Sequence, residues 1–155
     1  VTLSIVVALY RIARPHDAVL GDYQDLDGWV DVGAYPEAAT EPGLVVYRFD
    51  APLFFVNADH FRERVEQVLA ENPGEEDWLV LDFEGIGALD ATALDVLAEL
   101  VERLADLGVG VVAVARANDQ VLSRLDRAAL LEPAGALRVF PTINGAVRAY
   151  RQRRG

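Results

Sequence analysis

The stretch Trp78–Ala98, with the sequence WLVLDFEGIGALDATALDVLA, constrains the fold of this chain more than any other. It begins with an apolar run, Leu79–Phe83, which is typical of a strand buried on both faces. A glycine-containing loop, 84–89, follows, and an apolar pattern of helical spacing then starts at Ala91. Asp90 stands directly before this pattern, where its carboxylate can accept a hydrogen bond from a backbone N–H of the first turn. The stretch therefore predicts a strand, a loop and a capped helix in an α/β protein.

Similar patterns alternate along the rest of residues 44–155, as expected for an α/β sandwich with a largely parallel sheet. Further strands are predicted at 44–49, 53–56, 109–115 and 137–140. The first two are too close in sequence for a crossover connection, so we expect them to pair antiparallel. Helices are predicted to start after four capping residues, Asn57, Asp90, Asn118 and Thr142. Asn72, Pro73 and Gly74 are predicted to stop the first of these helices, and Gly108 the second.

The N-terminal residues have a different character. The apolar run VTLSIVVALY is followed at once by Arg11 and Arg14. It is too short to cross a bilayer, which takes about 20 residues, but an apolar run that ends in Tyr and Arg is typical of the cytoplasmic end of a transmembrane helix. We therefore interpret residues 1–14 as the end of a last transmembrane helix. An amphipathic or buried helix and a first strand are the alternatives. Because the chain contains no Met, we expect it to be a fragment or a processed product.

Residues 15–43 are rich in Pro, Gly, Asp and Glu and show no helical period. We interpret them as a mostly irregular, membrane-proximal linker to a domain that comprises residues 44–155.

Composition excludes several classes of function. The net charge of -11 and the pI of about 4.5 argue against nucleic acid as a partner, because such proteins cluster Lys and Arg. The chain has no Cys and two His, which rules out thiol chemistry and a histidine-rich metal site. The carboxylates Asp82, Glu84, Asp90 and Asp95 lie near one strand end without a nucleophile or a histidine beside them. We therefore expect no catalytic residues, no metal site and no enzyme activity.

A ligand site is predicted at the carboxyl ends of the strands, where open α/β sheets bind their ligands. Residues Asn57, Asp90, Thr92, Arg116 and Asn118 are expected at this edge. Arg116 is the cation that can meet a phosphate there, beside a helix N-terminus. A solvated arginine is the alternative. The Gly85-Ile86-Gly87 segment matches neither a P-loop nor a dinucleotide fingerprint.

Thr92 falls in the first turn of the predicted helix, with its hydroxyl near the positive end of the helix dipole. Such a hydroxyl can accept a phosphoryl group. The dipole would attract the resulting dianion, whereas Asp90 and Asp95 would repel it. An ordinary first-turn threonine is the alternative.

Two motifs carry a family resemblance. Residues 46–64, VYRFDAPLFFVNADHFRER, resemble the start of the cytoplasmic STAS domain of SulP-type anion transporters. Residues 81–94, LDFEGIGALDATAL, resemble the STAS strand, loop and helix that follow, which these transporters share with anti-sigma-factor antagonists. Residues 14–21, RPHDAVLG, are similar to the linker after the last membrane helix of such carriers. The resemblance to the domain covers about residues 44–150.

This resemblance implies an α/β fold with a small mixed sheet and about four helices packed mainly on one side. It also implies a SulP-type parent, with sulfate as the expected substrate, in which the domain is a regulatory and interaction module on the cytoplasmic side of the membrane. The expected partner is the transmembrane domain of the same polypeptide, and an acidic domain of this kind can also form a homodimer. No cofactor is required, but GTP, GDP or ATP is implied as a regulatory ligand.

The antagonists suggest an alternative function. Their Asp-Ser-Ser-Gly stretch, which carries the phosphorylated serine, matches Asp90, Ala91, Thr92 and Ala93 here. Thr92 takes the acceptor position, whereas Ala91 lacks a hydroxyl and Ala93 replaces the glycine. The alternative is a stand-alone anti-sigma-factor antagonist that is regulated by phosphorylation at Thr92.

Overall fold

A computed structural model describes residues 1–26, 28–72 and 78–155 of the chain. Six strands occur in these ranges: β1 Asp17–Tyr23, β2 Gly28–Asp31, β3 Leu44–Phe49, β4 Trp78–Asp82, β5 Val111–Ala115 and β6 Leu137–Phe140. The same ranges contain five α-helices and a short 3-10 turn, Gln24–Leu26. The helices are α1 Thr2–Ala13, α2 Ala58–Glu71, α3 Ala91–Asp106, α4 Asp119–Arg127 and α5 Ile143–Arg154.

The strands form one mixed sheet in the order β2-β1-β3-β4-β5-β6. Strands β3 to β6 are parallel to one another, and α2, α3 and α4 are the crossover helices between them. Strand β1 runs antiparallel to β3, with Asp17 opposite Phe49, and β2 runs antiparallel to β1. The mixed α/β sheet that the sequence predicts is thereby confirmed.

The helices cover the two faces of the sheet unequally. Leu79 and Leu81 of β4 pack in one apolar cluster with residues of α2, α3 and α4. Trp78 and Val80 point to the other face, where they share a second cluster with residues of α5. The prediction that the helices pack mainly on one side is therefore confirmed, with three helices on one face and α5 on the other, although the described residues form five helices and not four. Because α5 covers the opposite face, β4 is also buried on both faces, as its unbroken apolar run indicates.

Three of the four predicted helix caps are confirmed. The side chains of Asp90, Asn118 and Thr142 accept hydrogen bonds from the backbone N–H of Ala93, Val121 and Gly145, at 2.8, 2.9 and 3.0 Å. The Asn57 prediction is wrong in part, since α2 does begin at the next residue but no side-chain cap is formed. Helix α2 ends at Glu71, and the predicted stop residues Pro73 and Gly74 lie outside the described residues.

Two predictions about the N-terminal half need correction. Residues 15–43 are not irregular throughout, because β1 and β2 lie within them and extend the sheet. The repeated Gly and Pro residues hide these strands from a sequence reading. The segment 53–56 is not a second strand. It forms a single bridge between Leu53 and Leu89, so the antiparallel neighbour of β3 is β1.

Helix α1 differs from the other helices because none of its residues is buried. Its large apolar side chains are all exposed: Leu3, Ile5, Val6, Val7, Leu9, Tyr10 and Ile12. No helix in the described part of the chain has both the length and the apolar character needed to cross a bilayer. The interpretation of residues 1–14 as the end of a membrane helix stays a prediction, as do the domain boundaries.

The packing of α3 on the sheet can be tested with a matched pair of leucines. Leu100 is 0% exposed in the middle of α3, whereas Leu107, just after its last turn, is 55% exposed. We expect Leu100→Ala to lower the free energy of unfolding by about 2–5 kcal/mol because it leaves a cavity in the core. Leu107→Ala should change it by about 0.5 kcal/mol or less. Urea unfolding of both variants measures the difference, and equal losses would contradict this packing.

Candidate functional site

The parallel strands all end at the same edge of the sheet, which we call the rim. It comprises the loops 50–57, 83–90, 116–118 and 141–142, together with the first turns of α2 to α5. The chain also enters the sheet here from α1, because β1 starts opposite the end of β3. His16, in the connection between α1 and β1, has its Nδ1 atom 2.8 Å from Oδ2 of Asp50. The predicted ligand residues and the connection to α1 therefore share one edge of the molecule.

Asp90 joins two loops of the rim. One carboxylate oxygen accepts the α3 cap bond described above, and the other accepts the backbone N–H of Phe55 at 2.9 Å. The backbone N–H of Asp90 also donates to the carbonyl of Leu53 at 3.3 Å. The carboxylate of Asp90 is thus occupied by two backbone donors, and it fixes the loop 50–57 against the start of α3.

Asn57 is fully buried, with 0% of its surface exposed. Its Oδ1 accepts the N–H of Phe54 at 3.0 Å, and its Nδ2 donates to the carbonyl of Pro52 at 2.9 Å. Nδ2 also lies 3.5 Å from the carbonyl of Ile12, in the last turn of α1. Burying an amide is costly unless its polar atoms are paired, and here both are paired. The role of Asn57 in this structure is to shape the loop 50–57 and to connect it to α1.

Arg116 forms an ion pair that the sequence reading missed. Its guanidinium binds the Asp82 carboxylate through two bonds, of 2.9 and 2.5 Å, and its third nitrogen lies 2.8 Å from Glu84. The Asp82 side chain is 0% exposed and that of Arg116 is 31% exposed. The hydrogen bond to Asp82 raises the pKa of Arg116 above its usual value, against an opposing effect of burial. Arg116 is therefore neither the solvated arginine of the alternative nor a free cation, because two carboxylates neutralise it.

The backbone of Arg116 supports the same pairing. Its φ angle is 58°, in the left-handed region that non-glycine residues rarely adopt. Such conformations persist where surrounding contacts hold them, and here the bidentate pair with Asp82 does so. The register of the sheet supplied a signal for this pair, because Asp82 lies opposite Ala115 and Arg116 follows directly.

Thr92 and Asn118 complete the set of predicted site residues. Thr92 is exposed in the first turn of α3, as a phosphoacceptor would need to be. Asn118 caps α4 through Oδ1, and its Nδ2 donates to the carbonyl of Gly87 at 3.2 Å. All five predicted residues therefore lie at the rim. The polar side chains of four of them, Asn57, Asp90, Arg116 and Asn118, already bind other residues of the protein.

The two glycines of the loop 83–90 differ in role. A Cβ atom at Gly85 would lie 2.8 Å from the carbonyl oxygen of Phe49 and 2.9 Å from the Cα atom of Asp50, closer than real contacts allow. Gly85 therefore permits the close approach of this loop to the end of β3. A Cβ at Gly87 would meet nothing within 4 Å, so space does not require a glycine there.

Comparison with known proteins identifies the family. The model of the STAS domain family matches residues 35–146. The chain belongs to the STAS domain family. The match begins within the segment predicted as a linker and covers the rim completely.

Similar proteins include a "Probable sulfate transporter" from Mycobacterium tuberculosis, which is 44% identical over 153 residues, covering 99% of this chain and 27% of the relative. The chain therefore spans about a quarter of this relative. Two solved structures share the fold. The murine Solute Carrier 26 family member A9 anion transporter has a TM-score of 0.82 at 24% identity, covering 98% of this chain and 25% of that one. The STAS domain of a SulP transporter from Vibrio cholerae has a TM-score of 0.59 at 20% identity, covering 79% of this chain and 91% of that one.

The Asp82–Arg116 pair predicts an asymmetry between two substitutions. Arg116→Ala leaves the buried Asp82 carboxylate without its cation, and breaking a buried pair in this way costs about 3–5 kcal/mol. Asp82→Asn leaves Arg116 beside Glu84 and partly in water, so we expect a smaller loss. Thermal or urea unfolding at neutral pH compares the two variants. Equal losses, or a larger loss for Asp82→Asn, would contradict this account.

Proposed function

We propose that this chain is the cytoplasmic regulatory and interaction domain of a SulP-type secondary anion transporter, with sulfate as the transported anion. Its partner would be the transmembrane domain of the same polypeptide. Sulfate is proposed because the relative from Mycobacterium tuberculosis carries it in its name. Because membrane helices outside this chain would select the anion, the choice of sulfate is tested by measuring anion uptake by the complete polypeptide.

Helix α1 is the observation that carries this proposal. Its seven large apolar side chains are exposed on a helix in which nothing is buried. Exposed apolar surface of this extent marks contact with a protein or a membrane. The helix leads directly into β1 and the rim. A domain attached in this way to the end of a membrane helix would keep α1 covered and would place the rim next to the membrane domain.

Regulation in such an arrangement requires that the domain contact two states of the carrier differently. A domain that binds both states with equal affinity shifts nothing between them, however tightly it binds. The rim is suited to such contacts because Asn57 donates a hydrogen bond to α1, and Asp90 accepts hydrogen bonds both from the loop 50–57 and from α3. The chain would thus bias transport without taking part in the anion pathway.

A domain swap tests the proposal. The matching segment of the relative from Mycobacterium tuberculosis is replaced by this chain, and uptake of labelled sulfate is measured in cells that lack their own sulfate uptake. We expect uptake comparable to that of the unmodified relative, because the two segments are 44% identical over 153 residues and the chain should supply an equivalent α1 connection and rim.

Two controls make the swap interpretable. Deletion of the segment should abolish or strongly reduce uptake, and surface labelling should show equal amounts of each protein in the membrane. A swapped protein that reaches the membrane in normal amounts but transports no better than the deletion would contradict the proposal.

Regulation by a nucleotide is a further part of this proposal. Its support is the position of the rim at the carboxyl ends of the parallel strands, where such folds bind ligands. The contacts of Arg116 weigh against a phosphate at that residue, because a phosphate would have to displace Asp82 or Glu84. The exposed N-terminal turn of α3, with Thr92, is the more accessible part of the rim.

A titration decides this question. Backbone amide shifts of the chain are followed while GTP, GDP or ATP is added with magnesium, and a simple salt at equal ionic strength is the control. A regulatory nucleotide should give saturable shifts clustered at Asn57, residues 84–92 and residues 116–118. Arg116→Ala should not abolish them if α3 holds the phosphate. The absence of saturable shifts at millimolar nucleotide would exclude this part of the proposal.

The stand-alone antagonist remains the alternative, and the exposed Thr92 favours it. That function requires a Thr92 hydroxyl that a kinase modifies and a chain that works without a membrane domain. Mass spectrometry of the protein from its own cells would detect a phosphorylated Thr92. Full activity of the chain without α1 would favour the antagonist over the transporter domain.

A further inference from the structure

Among the described residues that follow α1, Phe55 is the most exposed large apolar side chain, with 69% of its surface accessible. It lies in the loop 50–57 of the rim, between Phe54 and the start of α2. The ring of Phe54 packs edge-on against it, with ring centroids 5.9 Å apart. A phenylalanine exposed in this way contributes little buried apolar area to the stability of the fold, and its ring is accessible to a partner.

The backbone around Phe55 is firmly held. Its own N–H donates to Asp90 at 2.9 Å, and the N–H of Phe54 donates to Asn57 at 3.0 Å. Leu53 is 0% exposed and its N–H donates to the carbonyl of Ala88 at 3.0 Å. A side chain presented on a fixed backbone loses little entropy when a partner covers it, as in the aromatic anchors of protein interfaces.

The position of the rim next to α1 indicates on which side of the molecule the partner lies. The chain enters the rim from α1, and Asn57 contacts the carbonyl of Ile12 in that helix. If α1 continues toward a membrane domain, as the proposed function requires, then the rim and Phe55 are on the side of the molecule that this domain can reach.

The charges at the rim indicate the chemistry of the partner. Carboxylates outnumber guanidinium groups in the rim loops, at the strand ends beside them and in the adjoining turns of α1 to α4. The carboxylates are Asp17, Asp31, Asp50, Asp59, Asp82, Glu84, Asp90, Asp95 and Asp119. Two guanidinium groups, Arg11 and Arg14, lie at the end of α1, and three more are those of Arg48, Arg62 and Arg116. Each of these three arginines is already paired with one or two of those carboxylates. The rim therefore presents negative charge around one exposed aromatic ring.

Resting on the proposed function, we infer that Phe55 docks the rim onto a basic cytoplasmic loop of the transmembrane domain, with its ring in an apolar recess of that loop. Cytoplasmic loops of membrane proteins carry an excess of Lys and Arg, which complements the charge of the rim. Anionic lipid headgroups would be repelled by the same carboxylates. The lipid surface is thus the less favourable occupant, and a second copy of this acidic rim is unfavourable for the same reason.

Site-specific photocrosslinking tests the inference. A benzoylphenylalanine is placed at position 55 of the complete polypeptide that carries this chain, and membranes are irradiated. We expect a crosslink to a Lys- and Arg-rich loop of the transmembrane domain, identified by mass spectrometry. The same probe at position 107, beyond the opposite end of α3, should not reach that loop. Crosslinks to lipid, to the rim of a second copy, or to nothing would overturn the inference.

Transport supplies the second measurement, in the domain-swapped carrier. Phe55→Ala should lower sulfate uptake while leaving thermal unfolding of the chain unchanged, because the side chain is mostly in water. Leu107→Ala, of similar exposure, is the matched control and should leave uptake unchanged. If the unsubstituted swap transports and Phe55→Ala transports equally well, the docking role of Phe55 is wrong. Failure of the unsubstituted swap contradicts the proposed function instead.

Discussion

The two hydrogen bonds accepted by the Asp90 carboxylate are the contacts on which the geometry of the rim depends. One starts α3 and the other holds the loop that precedes α2, so a single side chain sets the relative positions of two helices and of Phe55. A charged acceptor suits this task because bonds from backbone N–H groups to a carboxylate are stronger than neutral ones. The sheet supports the rim, but these hydrogen bonds of Asp90 determine how the loops of the rim are arranged.

The electrostatics of the rim follow from a second carboxylate, Asp82. A fully buried carboxylate at the end of a central strand needs a cation, and Arg116 reaches it from the neighbouring strand in a left-handed backbone conformation. The bidentate ion pair between Arg116 and Asp82 offsets the conformational free energy that the left-handed backbone of Arg116 costs. In sequence, Arg116 at this edge of the sheet resembles part of a phosphate site. In the fold, Asp82 and Glu84 neutralise its charge, and the remaining exposed carboxylates determine the surface charge of the rim.

Much of this fold could be predicted from sequence because its signals are local. The run of apolar residues before Asp82, and the caps at Asp90, Asn118 and Thr142, each depend on a few neighbouring residues. The sequence analysis missed strands β1 and β2, the antiparallel pair that ends in the edge strand β2. Their sequences contain glycines and charged residues, and their strand conformation depends on tertiary pairing. Asn57 was misjudged for a related reason, since its side chain turns away from α2 toward Pro52 and Ile12, contacts that no local pattern reveals.

The sequence predicts where the candidate site residues lie, but it does not predict which of their polar groups are free to bind a ligand. All five residues do lie at the rim, since the carboxyl ends of parallel strands share one edge. Their availability depends on partners contributed by other elements, as the pairing of Arg116 with Asp82 and Glu84 illustrates. Phe55 illustrates the converse, because a double phenylalanine next to a helix start looks like core packing. Only the fold shows that Phe54 is partly covered while Phe55 stands in water. A rim whose polar groups bind one another and whose apolar ring is left exposed is better built to bind a protein surface than a small anion.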